Sequence, residues 1–210
     1  MSHVVLLGDS IFDNASYVPG GAPVIEQLRS RLPRGWRATL LAVDGAVAAD
    51  VERQVARLPA DATHLVVSVG GNDALAHGGL VEASRYTAAE GFRRLSDVQR
   101  QFRRDYQDML KSVLSAGKPT AVCTVYDAVP GLVAPAVTAL SVFNDVILRA
   151  AFHAGLPVLD LRMVCAEPRD YSAMSPIEPS EVGGMKIVLG IVRVVTGHDF
   201  GGGLSVVYGR

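Results

Sequence analysis

The chain is predicted to fold as an α/β domain on a parallel sheet, and three observations predict it. Short runs of β-branched and aliphatic residues recur along the sequence, longer stretches with apolar residues at three- and four-residue spacing separate them, and each interval can hold a crossover helix. Five strands are expected, near residues 3–8, 38–43, 64–69, 119–125 and 156–160. Continuous apolar runs such as Val4-Val5-Leu6-Leu7 suit strands buried on both faces, as parallel strands are.

Between the strands, Val24 to Leu32, Val47 to Leu58, Phe92 to Ala116 and Pro135 to Ala154 read as one-sided helices. In the third of these, Phe92, Leu95, Val98, Phe102, Tyr106, Met109, Leu110 and Val113 share one face. A dense set of Arg, Asp and Gln occupies the other and reads as a solvated surface. Gly117 and Pro119 mark its end and the start of the next strand. The last helix is expected to begin at Ser180, whose hydroxyl can cap the first turn, and to run through Ile187 and Ile191 to Val195. Gly183, Gly184 and Gly190 fall inside it, each at a cost of about 1 kcal/mol, so the glycine pair implies close packing or a first turn facing a ligand. Residues 1–196 are expected to form a single domain, and 197–210, with Gly201-Gly202-Gly203, a flexible or docking C-terminal tail.

Composition narrows the function. The 210 residues are 49% hydrophobic, with 20 basic against 21 acidic side chains, enough for a sizeable core and too balanced to create a field for a polyphosphate backbone. Nucleic acid is not expected as a partner. Cys123 and Cys165 stand far apart and in no CxxC pair, which suggests buried free thiols rather than a zinc site or a disulfide framework. Met1-Ser2-His3 leads straight into the first strand, so a cytoplasmic protein is expected, and the longest apolar runs fall short of the roughly 20 residues that span a bilayer, so no membrane span is expected. The apolar residues of the last helix and tail can be covered within the domain or by a second copy, which leaves room for a homo-oligomer.

The chemistry is expected where two polar segments close two apolar runs. Gly8-Asp9-Ser10 follows the first strand and Gly70-Gly71-Asn72-Asp73 the third, and the carboxyl ends of parallel strands face one crevice. A hydroxyl nucleophile and an amide donor would then meet there. Acyl transfer needs a nucleophile and donors aimed at the oxygen that becomes negative. Ser10 could attack, and its own N–H and the Asn72 amide could receive the oxyanion. Each also has an ordinary reading in turn chemistry, and their joint placement is what raises them above it. The segments 127–135 and 74–90 are expected to wall the pocket, and Val129, Leu132 and Val133 suit an uncharged or acyl-bearing ligand.

With these blocks in order, the sequence resembles the SGNH or GDSL-like hydrolases, a family of esterases and lipases. The resemblance implies a flavodoxin-like three-layer α/β/α sandwich, with Gly8-Asp9-Ser10, Gly45 and Gly70-Gly71-Asn72-Asp73 matching three of the family's four blocks, and it adds the Gly45 N–H to the oxyanion donors. The G-x-S-x-G elbow of the α/β-hydrolase fold is absent. The chain departs at the fourth block, where the family carries Asp-x-x-His. Ser175-Pro176-Ile177-Glu178 stands there, which places Ser175 at the aspartate and Glu178 at the histidine. A carboxylate near pKa 4.3 is about 2 units less basic than an imidazole near 6.5, a loss of roughly tenfold under a Brønsted slope of about one half. Base strength therefore does not exclude Glu178, and burial can recover part of the difference. Asp170, His77 and His198 are further candidates, while His3, His64 and His153 read as structural or exposed.

The expected function is a serine ester hydrolase acting on a small acyl ester through an acyl-Ser10 intermediate, with Ser10, Gly45, Asn72 and Glu178 as its site. Two alternatives share the scaffold, a binding protein for an acyl or carbohydrate ligand and an acyltransferase. No metal or phosphate-binding signature appears in the sequence, and no cofactor is implied.

Overall fold

β1 (His3–Gly8) is buried at every position. Its side chains alternate between two cores, Val5 and Leu7 into one and Val4 and Leu6 into the other, because a strand sends successive residues to opposite faces. A computed structural model describes residues 2–79 and 86–209. In chain order β1 is followed by α1 (Val24–Arg31), β2 (Arg37–Leu40), α2 (Val51–Val55), β3 (His64–Ser68) and α3 (Gly71–Leu75). Then come α4 (Ala88–Ser115), β4 (Thr120–Cys123), α5 (Ala134–His153), β5 (Val158–Leu159), α6 (Leu161–Val164), α7 (Glu181–Gly197) and β6 (Val207–Tyr208).

The strands form one parallel sheet in the order β2-β1-β3-β4-β5-β6. α2, α4 and α5 cover one face and α1, α6 and α7 the other, which makes the three-layer α/β/α sandwich. The order reverses between β1 and β3, so the crevice of this topology opens at their carboxyl ends.

The sheet has six strands, not five. Val158 and Leu159 pair with Val207 and Tyr208, and the Val158 and Asp160 N–H groups donate to Val206 O at 2.9 Å and Tyr208 O at 2.8 Å. Two paired residues carry no periodicity, and the preceding glycines disguise the strand. The expected helix from Val47 is shorter, a 3-10 turn over Ala48–Asp50 and then α2. α4 begins before Phe92, at a capping box in which the Thr87 side chain accepts from the Glu90 N–H and the Glu90 side chain accepts from the Thr87 N–H. Phe92, in the second turn, is 74% exposed instead of on the buried face, which begins at Val98. α5 is long and apolar enough to cross a membrane by length and composition, which for one helix is weak evidence. Here its Phe143, Val146, Ile147 and Ala151 lie in the core.

Close approach explains two glycines. Gly183 opens α7 against the turn at 168–170, and a Cβ there would stand 2.0 Å from the Asp170 carbonyl oxygen. Gly8 ends β1 at φ 125°, and a Cβ would meet the Ser68 carbonyl oxygen at 1.7 Å. Gly8→Ala combines backbone strain with overpacking and is expected to cost about 2–6 kcal/mol, read as a lowered urea midpoint.

Candidate active site

The nucleophile turn is held from both sides. As β1 ends, the Asp9 N–H donates to Ser68 O at 3.1 Å, which ties the turn to the end of β3. From α2, the buried Gln54 amide clamps Gly8, accepting from its N–H at 2.7 Å and donating to its carbonyl at 2.8 Å. Ser10 follows, only 5% exposed.

Opposite it stands Glu178. Its loop is anchored on four sides: Tyr126 Oη donates to Ile177 O at 2.6 Å, and the Ser172 N–H to Glu178 O at 2.8 Å. Asn14 Nδ2 donates to Pro179 O at 3.2 Å, and Ser180 Oγ to Arg169 O at 2.6 Å. Asn14 also accepts the Val24 N–H at 2.9 Å, so one buried amide couples the loop after Ser10, the start of α1 and the Glu178 loop. Glu178 is 4% exposed, unlike a solvated loop carboxylate. Ser10 lines the same cavity and its side chain favours the charged carboxylate, while the buried Oε2 has no hydrogen-bond partner. Burial raises the Glu178 pKa, Ser10 lowers it by less, and the Asp44 charge adds a further rise, to about 7.

Asp9, beside Ser10, is buried and pushed up to about 8 by desolvation, with the Ile11 N–H, donating to Oδ1 at 3.1 Å, opposing the shift. At neutral pH it is mostly a neutral acid, so it brings little negative charge to the site.

On the third side, two adjacent residues of the β3 block pin the Gly45 loop. Asn72 Nδ2 donates to Ala46 O at 3.0 Å, and Asp73 accepts from the Ala48 N–H at 3.1 and 3.3 Å. One amide hydrogen of Asn72 is thereby used and the other remains to be aimed. Burial raises the Asp73 pKa to about 6. Gly45 takes φ 79° in an exposed turn, and neither its N–H nor that of Ser10 donates to a protein acceptor among the described residues. Gly45 does not itself line the cavity described next, whereas Ser10, Asn72 and Glu178 do. Removing one oxyanion donor typically costs about 10²–10³ in kcat. Asn72→Ala is expected to do so with a smaller change in KM, measured on a chromogenic ester.

These residues border a cavity of about 330 Å³. The segment 127–135 contributes Val129, Gly131, Leu132 and Val133, and the segment 74–90 contributes Ala74, Leu75, His77 and Gly78. The part of the latter at 80–85 lies outside the described residues. His77 reaches the cavity as an exposed residue, while His198 pairs with Tyr208 (Nδ1 to Oη 3.2 Å) and lines no part of it. Asp170 is paired with Lys186 and also lies outside the cavity. His3 is bonded to Asp61 and Thr39, and His64 stacks on Trp36. Both cysteines are free and buried. Among the described residues no group of three His, Cys, Asp or Glu could hold a metal ion.

Gln54 and Asn14 escaped the sequence reading. Gln54 left a trace, a polar residue between Val51 and Val55 on a face that should be apolar, while Asn14 left none.

The family model for the GDSL-like lipase/acylhydrolase family matches residues 6–183. The chain belongs to this family. No match was found among curated protein sequences. Among solved structures, the extracellular lipase of Streptomyces rimosus is similar at TM-score 0.66 and 19% identity, covering 93% of this chain and 98% of its own. A lipase from a goat rumen metagenome is similar at TM-score 0.70 and 15% identity, covering 91% and 97%. An acetyl xylan esterase from Geobacillus stearothermophilus is similar at TM-score 0.67 and 15% identity, covering 93% and 94%. As a GDSL-like hydrolase the chain is a carboxylic ester hydrolase at family level, and at these identities the likeness to each structure is one of fold.

Proposed function

We propose that this GDSL-like protein hydrolyses a carboxylic ester through an acyl-Ser10 intermediate, with Glu178 in place of the imidazole base. The observation that carries this reading is that Ser10 and a buried Glu178 line the same cavity, with the Ser10 side chain acting on a carboxyl whose pKa is raised to about 7, near where a general base works best.

The Glu178 carboxylate takes the hydroxyl proton as Ser10 Oγ bonds to the ester carbonyl carbon. The carbonyl oxygen becomes an oxyanion facing the free hydrogen of Asn72 and the unused N–H of Ser10, the two candidate donors that line the cavity. When the tetrahedral intermediate collapses, protonated Glu178 returns the proton to the leaving alkoxide, which departs as the alcohol. Water, deprotonated by the same carboxylate, then attacks the acyl-serine, and as the second tetrahedral intermediate collapses Glu178 passes that proton to the departing Ser10 Oγ, which frees the carboxylic acid and restores the serine. The loss of the imidazole's two opposed nitrogens is offset by the two oxygens of a carboxylate. One can take the Ser10 proton, and the unpartnered Oε2 can receive the incoming water.

The test is intact-mass spectrometry after exposure to a serine-directed fluorophosphonate. One adduct is expected on the wild type and none on Ser10→Ala. An unlabelled wild type, under conditions that modify a control esterase, would favour the reading in which the scaffold binds an acyl or carbohydrate ligand without turnover.

A further inference from the structure

The Glu178 carboxylate has little of its own to hold it. Its Oε2 has no hydrogen-bond partner, and Ser175, which stands at the family's aspartate position, reaches Glu178 through the backbone, its carbonyl accepting the Glu178 N–H at 3.0 Å. The orientation of the carboxylate therefore has to come from the chain that carries it. That chain is tied back to the nucleophile turn twice. Residues 9–17 form consecutive turns, in which the Phe12 and Asp13 N–H groups donate to Asp9 O at 3.1 and 3.2 Å and the Tyr17 N–H donates to Asn14 O at 2.9 Å. From this segment Asn14 Nδ2 reaches Pro179 O at 3.2 Å, and Tyr17 O accepts from Ser172 Oγ at 2.5 Å. Ser172 in turn donates its N–H to Glu178 O at 2.8 Å. Two adjacent carbonyls, of Glu178 and Pro179, are thus gripped from the loop that begins at Ser10. Pro176 and Pro179 restrict the gripped segment further by fixing their own φ.

We propose that Asn14 and Ser172 are positioning residues, and that the 9–17 segment they engage is a strap that fixes where the Glu178 carboxylate stands relative to Ser10. This rests on the esterase reading and adds the device that replaces an orienting acid. Asn14 is the firmer hold. It is fully buried, and because its Oδ1 takes the Val24 N–H at 2.9 Å the amide cannot turn, which keeps Nδ2 on Pro179 O. Ser172, also buried, supplies the second hold through one hydroxyl. The strap also fixes the surroundings of the carboxyl. Besides Ser10, the titratable groups that interact with it are Asp44, Asp9, Tyr17 and Tyr126, with no Lys or Arg among them. Burial is the main cause of its raised pKa, so a slackened strap that admits water lets that pKa fall from about 7 toward the ordinary carboxyl range.

The test measures pH profiles on one chromogenic ester beside a carbon-13 NMR titration of the Glu178 carboxyl, whose resonance is identified by its absence in Glu178→Gln. A misplacement of about 1 Å costs on the order of 10² in rate, so Asn14→Ala is expected to lower kcat by about that factor with KM changed by less than about twofold. The midpoints of kcat/KM and of the NMR titration are both expected to move down from near pH 7. Ser172→Ala is expected to shift both in the same direction by less, and Ser172→Thr, which keeps the hydroxyl, to restore the wild-type values. Should Asn14→Ala not fold, the two Ser172 variants carry the test. Activity lost only in step with the folded fraction, at unchanged midpoints, would make the contacts a structural brace and overturn the proposal, as would wild-type kcat in Asn14→Ala and Ser172→Ala. A shifted NMR midpoint in a protein with no esterase activity would uphold the strap's hold on Glu178 and remove the esterase reading.

Discussion

Ser10→Ala is expected to lower ester hydrolysis to what binding and an oxyanion hole supply alone, about 10³–10⁴-fold over water. The variant isolates the chemistry because the hydrogen bonds that hold the turn do not use the hydroxyl, which acts on the Glu178 carboxylate instead. Asp9 is held by Ser68 and Gly8 by Gln54, through backbone groups that alanine leaves in place. Thermal stability should therefore stay close to wild type while kcat collapses, and a circular dichroism melt beside the kinetic assay separates the two. A variant that keeps most of its activity would place the nucleophile elsewhere.

The second large effect belongs to Glu178→Gln. The amide keeps the shape of the side chain and loses the ability to take a proton, so kcat/KM is expected to fall by about 10²–10⁴. Its effect on stability has the opposite sign. The pKa values of Glu178 and Asp9 are raised by burial to about 7 and about 8, so across the interval above the ordinary carboxyl range the folded chain holds protons that the unfolded chain has released. The stability these two carboxyls contribute is thus fully present below about pH 4 and is lost as pH rises through those values. Glu178→Gln removes one of the two contributions. At pH 8 it should melt above the wild type, by an amount on the order of 1–3 kcal/mol that vanishes at pH 4. A carboxyl that destabilises the protein in its charged form is consistent with a group retained for chemistry.

What the sequence made legible follows from how directly each feature is written in it. Apolar runs marked β1, β3 and β4 because a strand covered on both faces must be apolar throughout. The Gly-Asp-Ser and Gly-Gly-Asn-Asp segments marked the strand ends, where turn geometry demands those residue types. Ser180 was legible as a cap and Gly183 as a close approach. β6 was not, since two residues pair by backbone groups that every sequence has. The anchoring of Glu178 was equally hidden. It depends on Asn14 and Tyr126, which reach it across the fold through amide and phenol groups that fit many contexts. Sequence alone identified Glu178 only by its place in a family pattern that it breaks. Its burial, its place beside Ser10 in the cavity and its raised pKa come from tertiary packing.

The most direct measurement is the pH dependence of kcat/KM for wild type, Glu178→Gln and His77→Ala on one chromogenic ester. A Ser10–Glu178 pair predicts a single rise with a midpoint near pH 7 in the wild type, the same rise in His77→Ala, and a low, flat profile in Glu178→Gln. Wild-type rates and an unchanged midpoint in Glu178→Gln, with the rise lost in His77→Ala, would contradict it and make the histidine at the cavity mouth the base.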